Sequence, residues 1–512
     1  MGRKGAAAKK DKNLKAEESE KRGGTTVENH HGDKDKTKTK TKKETKKPEN
    51  LMDRDREGGA AKEDKNVKAA EKIEKLIVFS LAEVAAKMDL SDLKEFLDYG
   101  RRLPDMDVLR FYFYFEKAFA QVSFPWVKLF KETPLSERID FPLSQIPTPL
   151  YQLSVDWIKQ APIELLSHIV LFLCDRILDH LAQGGDNVRA SYRPRSQAGH
   201  FVVLAMVLRC RPDSLIAVLP SLRDKDTYQG PDKLPLIVWM MAQASVGDLS
   251  AGLYSWMCNL LPLVSNDKCC PQSSDLVLQL AEFILSRPDA LTILVKGGGV
   301  MEGQRLVPLP SLKILLRLTF PAPSARVEEI TKRFEAIYPS LKEVALSPER
   351  AGGGRFAMKN LFAFALTLTG EKGNPSVLTK EATSIAIRSL TENIDCFEHW
   401  DRLYMYYPEA SVALLKKLLL LKKLVDASPS DTLTVNKIIE SFRRKNKRAI
   451  AKGGANCSLY KEADKYCTLI SKYCTLISWR LFGRPTLVTA GVVTAASAAA
   501  SFAAVAAAIY SL

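Results

Sequence analysis

From about Val67 onward, apolar residues recur at helical spacing, and clean alternation with a period of two is missing. EKIEKLIVFSLAEVAAKM, LKEFLDYGRRL and VLRFYFYFEKAFAQV open the series; APIELLSHIVLFLCDRILDHL, HFVVLAMVLRC, RPDSLIAVLPSL, SDLVLQLAEFILS and RPDALTILVK continue it. The later runs are punctuated by Pro, Gly or Asn. Such a pattern admits helices packed on helices and little else, so the expected fold class is all-α. In PLSQIPTPLYQLSVDWI, Pro142, Pro147 and Pro149 mark a turn ahead of a helix, because the missing N–H of proline has no intrahelical partner in a first turn.

Two echoes suggest repetition. RPDSLIAVL begins at Arg211 and RPDALTILV at Arg287; YPSLKEVAL begins at Tyr338 and YPEASVALL at Tyr407. The separations match two helix-pair units of about 35–40 residues, the range of HEAT and armadillo arrays. The expectation is a HEAT/armadillo-like α-solenoid over residues 71–451, against the alternative that Pro-initiated helices resemble one another by chance.

Charge divides the 512-residue chain, whose net charge is +16. Residues 1–70 hold 21 Lys and Arg against 14 Asp and Glu, and residues 71–512 hold 54 against 45. The basic character is therefore assigned to the first seventy residues. That segment has almost no large apolar residues and alternates Lys with Thr, so it cannot offset chain entropy and is expected to be disordered. The plain reading is a solvated tail; the sharper one is a nuclear signal, or a tether to RNA, ribosomes or anionic lipid. Interleaved Glu44, Glu49, Asp53 and Asp55 weigh against the sharper reading.

The N-terminus lacks the apolar region of a secretory signal, and Ala6 stands where myristoylation at Gly2 would want Ser or Thr. Nine cysteines, an odd number without zinc-ligand spacing, fit a reducing compartment. The bulk of the chain is expected in the cytosol.

Residues 486–512 contain no charged side chain; eleven are Ala and eight are Leu, Ile, Val or Phe. That is enough to span a thin bilayer such as the endoplasmic reticulum. Lys465, Lys472, Arg480, Arg484 and Trp479 flank it upstream, which places the preceding chain in the cytosol by the positive-inside rule. A transmembrane tail anchor is expected, the alternative being a buried helix of a soluble array. Gly491, Ala495, Ala499, Ala503 and Ala507 form a small-residue stripe of the kind that permits self-association, although so much Ala makes one nearly unavoidable. Between 452 and 485 the sequence suggests a Gly linker and a juxtamembrane helix in which KYCTLIS occurs twice in tandem, a spacing that keeps the helical face in phase. The other long apolar stretch, 236–264, is interrupted at Gly247–Asp248 and reads as two core helices, with Asp248 near an N-terminus, rather than a second span.

No constellation announces a reaction. Neither G-x-S-x-G nor H-E-x-x-H occurs. The six His residues are His30 and His31 in the tail, His168 and His180 on an amphipathic helix, His200 after a loop, and His399 in CFEHW. Cys396 and His399 read as a structural pair before a nucleophile and base. KGGGVMEGQR lacks the strand–loop–helix context of a phosphate site. Arg189, Arg193 and Arg195 read as a solvated loop before a phosphate contact. Asn456 matches a glycosylation sequon that the expected topology would leave in the cytosol. Cys467 and Cys474 read as packed thiols before palmitoylation sites. No catalytic, cofactor-binding or metal-binding residue is assigned, no cofactor is expected, and no enzyme activity is expected.

Four long stretches together resemble the transmembrane protein 214 family in its plant-type form: SFPWVKLFKETPLSERIDFPLSQIPTPLYQLSVDWI (123–158), QGPDKLPLIVWMMAQASVGDLSAGLYSWMCNLLPLV (229–264), LPSLKILLRLTFPAPSARVEEITKRFEAIYPSLKEVAL (309–346) and GGANCSLYKEADKYC (453–467). The resemblance implies an endoplasmic-reticulum membrane protein with a cytosolic helical region and a C-terminal anchor. It also implies a scaffold role in apoptosis under endoplasmic-reticulum stress, with a caspase-like protease or other stress-signalling protein as cytosolic partner. Animal members are described with two C-terminal spans, where this tail offers one. From the residues themselves, nucleic acid is the disfavoured partner, kept as the alternative of an RNA or ribosome tether.

Overall fold

The chain divides into two units, residues 1–76 and 77–512, and everything described below belongs to the second. The structure, a computed structural model, describes residues 80–102, 108–122, 129–130, 133–182, 197–266, 269–296, 304–347, 355–420 and 429–482. It is all-α, with no strand among the described residues.

The first half comprises α1 (Leu81–Ala86), α2 (Leu90–Arg101), α3 (Val108–Ala118), α4 (Leu135–Arg138), α5 (Thr148–Ile158), α6 (Ile163–Ala182), α7 (Ala198–Cys210), α8 (Asp213–Asp224), α9 (Leu234–Gly247) and α10 (Leu249–Ser255). A π-helical turn, Trp256–Leu260, carries α10 into α11 (Leu261–Val264), where Pro262 lacks the N–H an α-helical ladder would need. Then follow α12 (Pro271–Leu285), α13 (Ala290–Lys296), α14 (Leu309–Thr319), α15 (Glu328–Leu346), α16 (Arg355–Gly370), α17 (Ser376–Glu392), α18 (Asp395–Leu403), α19 (Pro408–Leu420), α20 (Pro429–Lys452) and α21 (Cys457–Phe482).

Two helices are apolar on every side and are therefore enclosed. In α7 every residue from Ala198 to Leu208 is buried, and in α9 every residue from Leu236 to Ser245 is buried. They pack on each other; α3, α5 and α6 cover α7, while α10 and α12 cover α9. Beyond them, most contacts run between helices close in chain order: α12 and α14 on α15, α16 on α17, α17 on α19, α18 on α20, and α19 and α20 on α21. Ion pairs cross the same seams. Arg333 of α15 reaches Asp275 and Glu282 of α12, at 2.6 and 2.7 Å. Lys342 of α15 meets Glu381 of α17 at 2.6 Å, and Arg388 of α17 meets Glu343 of α15 at 2.7 Å.

Arginines also close helix ends, where four carbonyls lack intrahelical partners. Arg209 donates to the Ile139 carbonyl just past α4, Arg211 to the Ala161 carbonyl past α5, and Arg305 to the Ala345 carbonyl in the last turn of α15. Buried Gln243 completes the first of these, accepting from Arg209 Nε at 2.7 Å and donating to the Ile139 carbonyl at 2.6 Å.

The stretch 236–264 forms two core helices as the sequence suggests. Asp248 caps α10, accepting from the Ser250 N–H at 2.8 Å. The joint needs glycine: a Cβ at Gly247 would lie 2.1 Å from the Arg209 carbonyl oxygen. Among the described residues no helix is long and apolar enough to cross a membrane; the proposed anchor, 486–512, lies outside them.

The sequence echoes occupy inequivalent places, which corrects the argument built on them. RPDSLIAVL opens α8 with Leu215 fully buried, whereas RPDALTILV carries its own Asp289 in the left-handed region (φ 57°) and leaves its matching Leu291 exposed. YPSLKEVAL lies inside α15, with Pro339 mid-helix, while YPEASVALL starts α19 at Pro408. Pro339 removes one backbone bond and is itself exposed, the helix being held by buried Tyr338 and Leu341 on either side, so the motif marks no common register.

The Gly-rich segment after Lys452 is a tight turn, with Gly453 and Gly454 at positive φ (70° and 119°). It folds α21 back along α20, and Ala463, Tyr466, Cys467, Ile470 and Cys474 join the same core cluster as the rest. The helix expected beside a membrane is thus packed on the body.

Candidate interaction surface

Some of the reactive groups noted in the sequence are built into the packing. Cys396 is fully buried, and burial pushes its thiol up to about 12. His399 is half-buried on the same helix, and burial lowers its ring below the usual value. A thiol that burial keeps protonated is a poor nucleophile. His200 exchanges a buried 2.9 Å hydrogen bond with Tyr112 Oη, tying α7 to α3; His168 is exposed and His180 half-buried on α6. Burial raises the Cys467 thiol to about 12 and the Cys474 thiol to about 11, as expected of packed thiols. Asn456 is exposed in the turn before α21. Arg189, Arg193 and Arg195, the loop 297–303 and His30 and His31 lie outside the described residues. Among the described residues no group of three His, Cys, Asp or Glu is placed to hold a metal ion.

What stands out is on the surface. At the α2–α3 edge, Tyr99 (52% exposed), Leu109 (46%) and Phe113 (52%) leave large apolar area in water. Arg110 sits among them, its guanidinium 5.1 Å from the Tyr99 ring centre and 5.8 Å from that of Phe96. Phe96 in turn packs on Tyr114, whose hydroxyl donates to Asp92 at 2.9 Å. Leu109 and Phe113 are one helical turn apart and share a face. Tyrosine and arginine beside exposed aliphatic and aromatic carbon is the composition of protein-docking anchors.

The second feature is electrostatic, and charge counting over 71–512 concealed it. Residues 71–428 are nearly neutral, with 42 Lys and Arg against 41 Asp and Glu, whereas 429–482 carry eleven against four. The basic character assigned to the first seventy residues is thus shared by the α20–α21 hairpin. Its buried faces are pinned inward: Tyr404 Oη donates to Asn446, the Tyr404 ring stacks on Phe442 at 4.0 Å, and Lys445 pairs with Asp401 at 2.8 Å. Among the described residues, eight exposed lysines and arginines lie along the two helices, together with exposed Leu433 and Glu462. A window of about fifty residues would have revealed this in the sequence; an average over the whole folded region could not.

No family model, no curated protein and no solved structure matches this chain.

Proposed function

We propose that the chain is a membrane-anchored helical scaffold of the endoplasmic reticulum, with its bulk in the cytosol and a protein partner held at the α2–α3 edge. The observation that carries this reading is the exposed Tyr99–Arg110–Phe113 edge, set beside an interior in which Cys396, Cys467 and Cys474 are packed. Contacts between helices close in chain order support a stacked, solenoid-like array. The uncharged stretch 486–512 supports the anchor. The resemblance to the transmembrane protein 214 family supports the compartment and a role in stress-induced apoptosis, with a caspase-like protease as the class of partner.

Two measurements test it. The full chain and a version ending at Pro485 are expressed with microsomes and subjected to carbonate extraction, protease protection and glycosidase digestion. The full chain should resist extraction, remain open to protease and carry no glycan on Asn456, while the shorter one washes off. Extraction of both sinks the anchor, and a glycan on Asn456 reverses the topology. Separately, Phe113→Asp should leave thermal stability within about 0.5 kcal/mol, as for a surface position. The same change should abolish proximity labelling of cytosolic proteins by the chain. An unchanged labelling pattern removes the edge as the docking site.

A further inference from the structure

We infer that the α20–α21 hairpin is an electrostatic docking face for anionic phospholipid headgroups, an inference that deepens the membrane-anchored reading and rests on it. Lys437, Arg444 and Arg448 lie on one exposed face of α20, at intervals of seven and four residues. Lys461, Lys465 and Lys472 lie on one exposed face of α21, at intervals of four and seven. Each row extends about 16 Å along its helix. None of the six forms an ion pair with a described residue. Of the four acidic residues of the hairpin, Glu440 and Asp464 face Arg443 between the two helices, Asp431 is half-buried in the first turn of α20, and Glu462 is exposed on α21 and accepts from Tyr466 Oη. The opposite faces are fixed against α18 and α19, so the basic rows are turned away from the body.

The occupant follows from what adjoins this face. Only three residues separate Phe482, the last residue of α21, from the uncharged segment beginning at Thr486, and Arg484 is among them. A basic surface that near a bilayer meets the negative potential of anionic lipid, where each Lys or Arg contributes about fivefold to partitioning. The rows are broad, and the tyrosines next to the lysines of α21, Tyr460, Tyr466 and Tyr473, are buried or half-buried, which suits a diffuse charged plane better than stacked single-stranded bases. The body that carries the hairpin is nearly neutral, so this face is a local device and not a reflection of overall charge.

The test uses the full chain with vesicles of phosphatidylcholine alone, and of phosphatidylcholine with roughly one third phosphatidylserine. Flotation with the neutral vesicles reads the anchor. Amine acetylation followed by mass spectrometry reads the hairpin, lysine by lysine. With phosphatidylserine, Lys461, Lys465 and Lys472 should be labelled at least about fivefold more slowly, while exposed Lys225 and Lys380 on the body are unchanged. The protection should vanish as added salt shortens the screening length. Replacing Lys437, Arg444 and Arg448 together by Glu should abolish it, with hydrogen exchange in α20 confirming that the helix is intact. Equal labelling of the three lysines in both vesicles overturns the proposal. So does protection by added RNA on neutral vesicles without protection by phosphatidylserine, which would assign the face to nucleic-acid phosphate. Failure to float with neutral vesicles sinks the anchor alone, since labelling with phosphatidylserine still decides the hairpin.

Discussion

Gly247→Ala is the sharpest test of the core, because a single methyl group must go where a backbone atom already is. The added Cβ would lie 2.1 Å from the Arg209 carbonyl oxygen and 2.9 Å from Pro212 Cγ. Touching heavy atoms sit about 3.5 Å apart, so the end of α7 would have to withdraw by more than an ångström. Overpacking of this kind costs about 1–3 kcal/mol. The withdrawal also draws Arg209 away from Gln243 and the Ile139 carbonyl, both at 2.7 Å, and a strained charged hydrogen bond adds about 1.5–3 kcal/mol. A combined cost of about 3 kcal/mol lowers protection against local opening more than a hundredfold. Hydrogen exchange of the full chain in micelles reads this directly in peptides from α7 and α9. Gly370→Ala is the matched control: its Cβ would meet Ala410 and Tyr407 at ordinary distances of 3.5 and 3.6 Å, and gaining helix propensity should leave protection equal or higher. Unchanged protection of α7 and α9 in the Gly247 variant would refute the close approach of these helices.

Three further outcomes are expected. Alkylation of the full chain near neutral pH should modify Cys270 first, because a hydrogen bond from Ser273 lowers its thiol, and should leave Cys396, Cys467 and Cys474 intact until the pH approaches their raised values of about 11–12; peptide mass spectrometry settles the order, and early labelling of Cys396 would revive a nucleophile. Arg388 holds the Glu343 carboxyl below its usual range, so the stabilisation of the α15–α17 seam is present above the unfolded carboxylate value and is lost as pH falls through the depressed one; Glu343→Gln should remove that acid-side dependence, with an effect below about 1 kcal/mol near neutrality, by hydrogen exchange of α17. Arg333→Met should weaken the α12–α15 seam by about 1 kcal/mol at low salt and less at high salt, read as a difference in thermal midpoint that narrows with ionic strength.

Helices were legible in this sequence wherever local chemistry and packing agree. Gly247 and Asp248 interrupt an apolar run with a residue that admits close approach and a residue that caps, and the chain breaks there. The prolines at 142, 147 and 149 likewise announce the short 3-10 turn at Leu143–Gln145 and the start of α5. The echoes were misleading because tyrosine–proline specifies a local backbone and not a place in the stack: Pro339 is carried inside α15, whereas Pro408 begins α19. The length of the last helix and its return along α20 depend on contacts between residues such as Asn436 and Ser471, which no local pattern encodes. Neither surface was singled out beforehand. Exposure of Tyr99 and Phe113 is a tertiary outcome, and the hairpin's charge was diluted by the neutral chain before it.

The lysine, cysteine and threonine of the two KYCTLIS copies fall in matching surroundings within α21. Lys465 and Lys472 are exposed, Cys467 and Cys474 are buried, and Thr468 and Thr475 each donate to the carbonyl four residues earlier. Seven residues advance an α-helix by about 10 Å while turning it by only about 20°. The helix is therefore a ruler graduated in whole units. Gaining or losing one copy moves the end of α21 along its axis by a fixed step, and leaves its bearing almost unchanged.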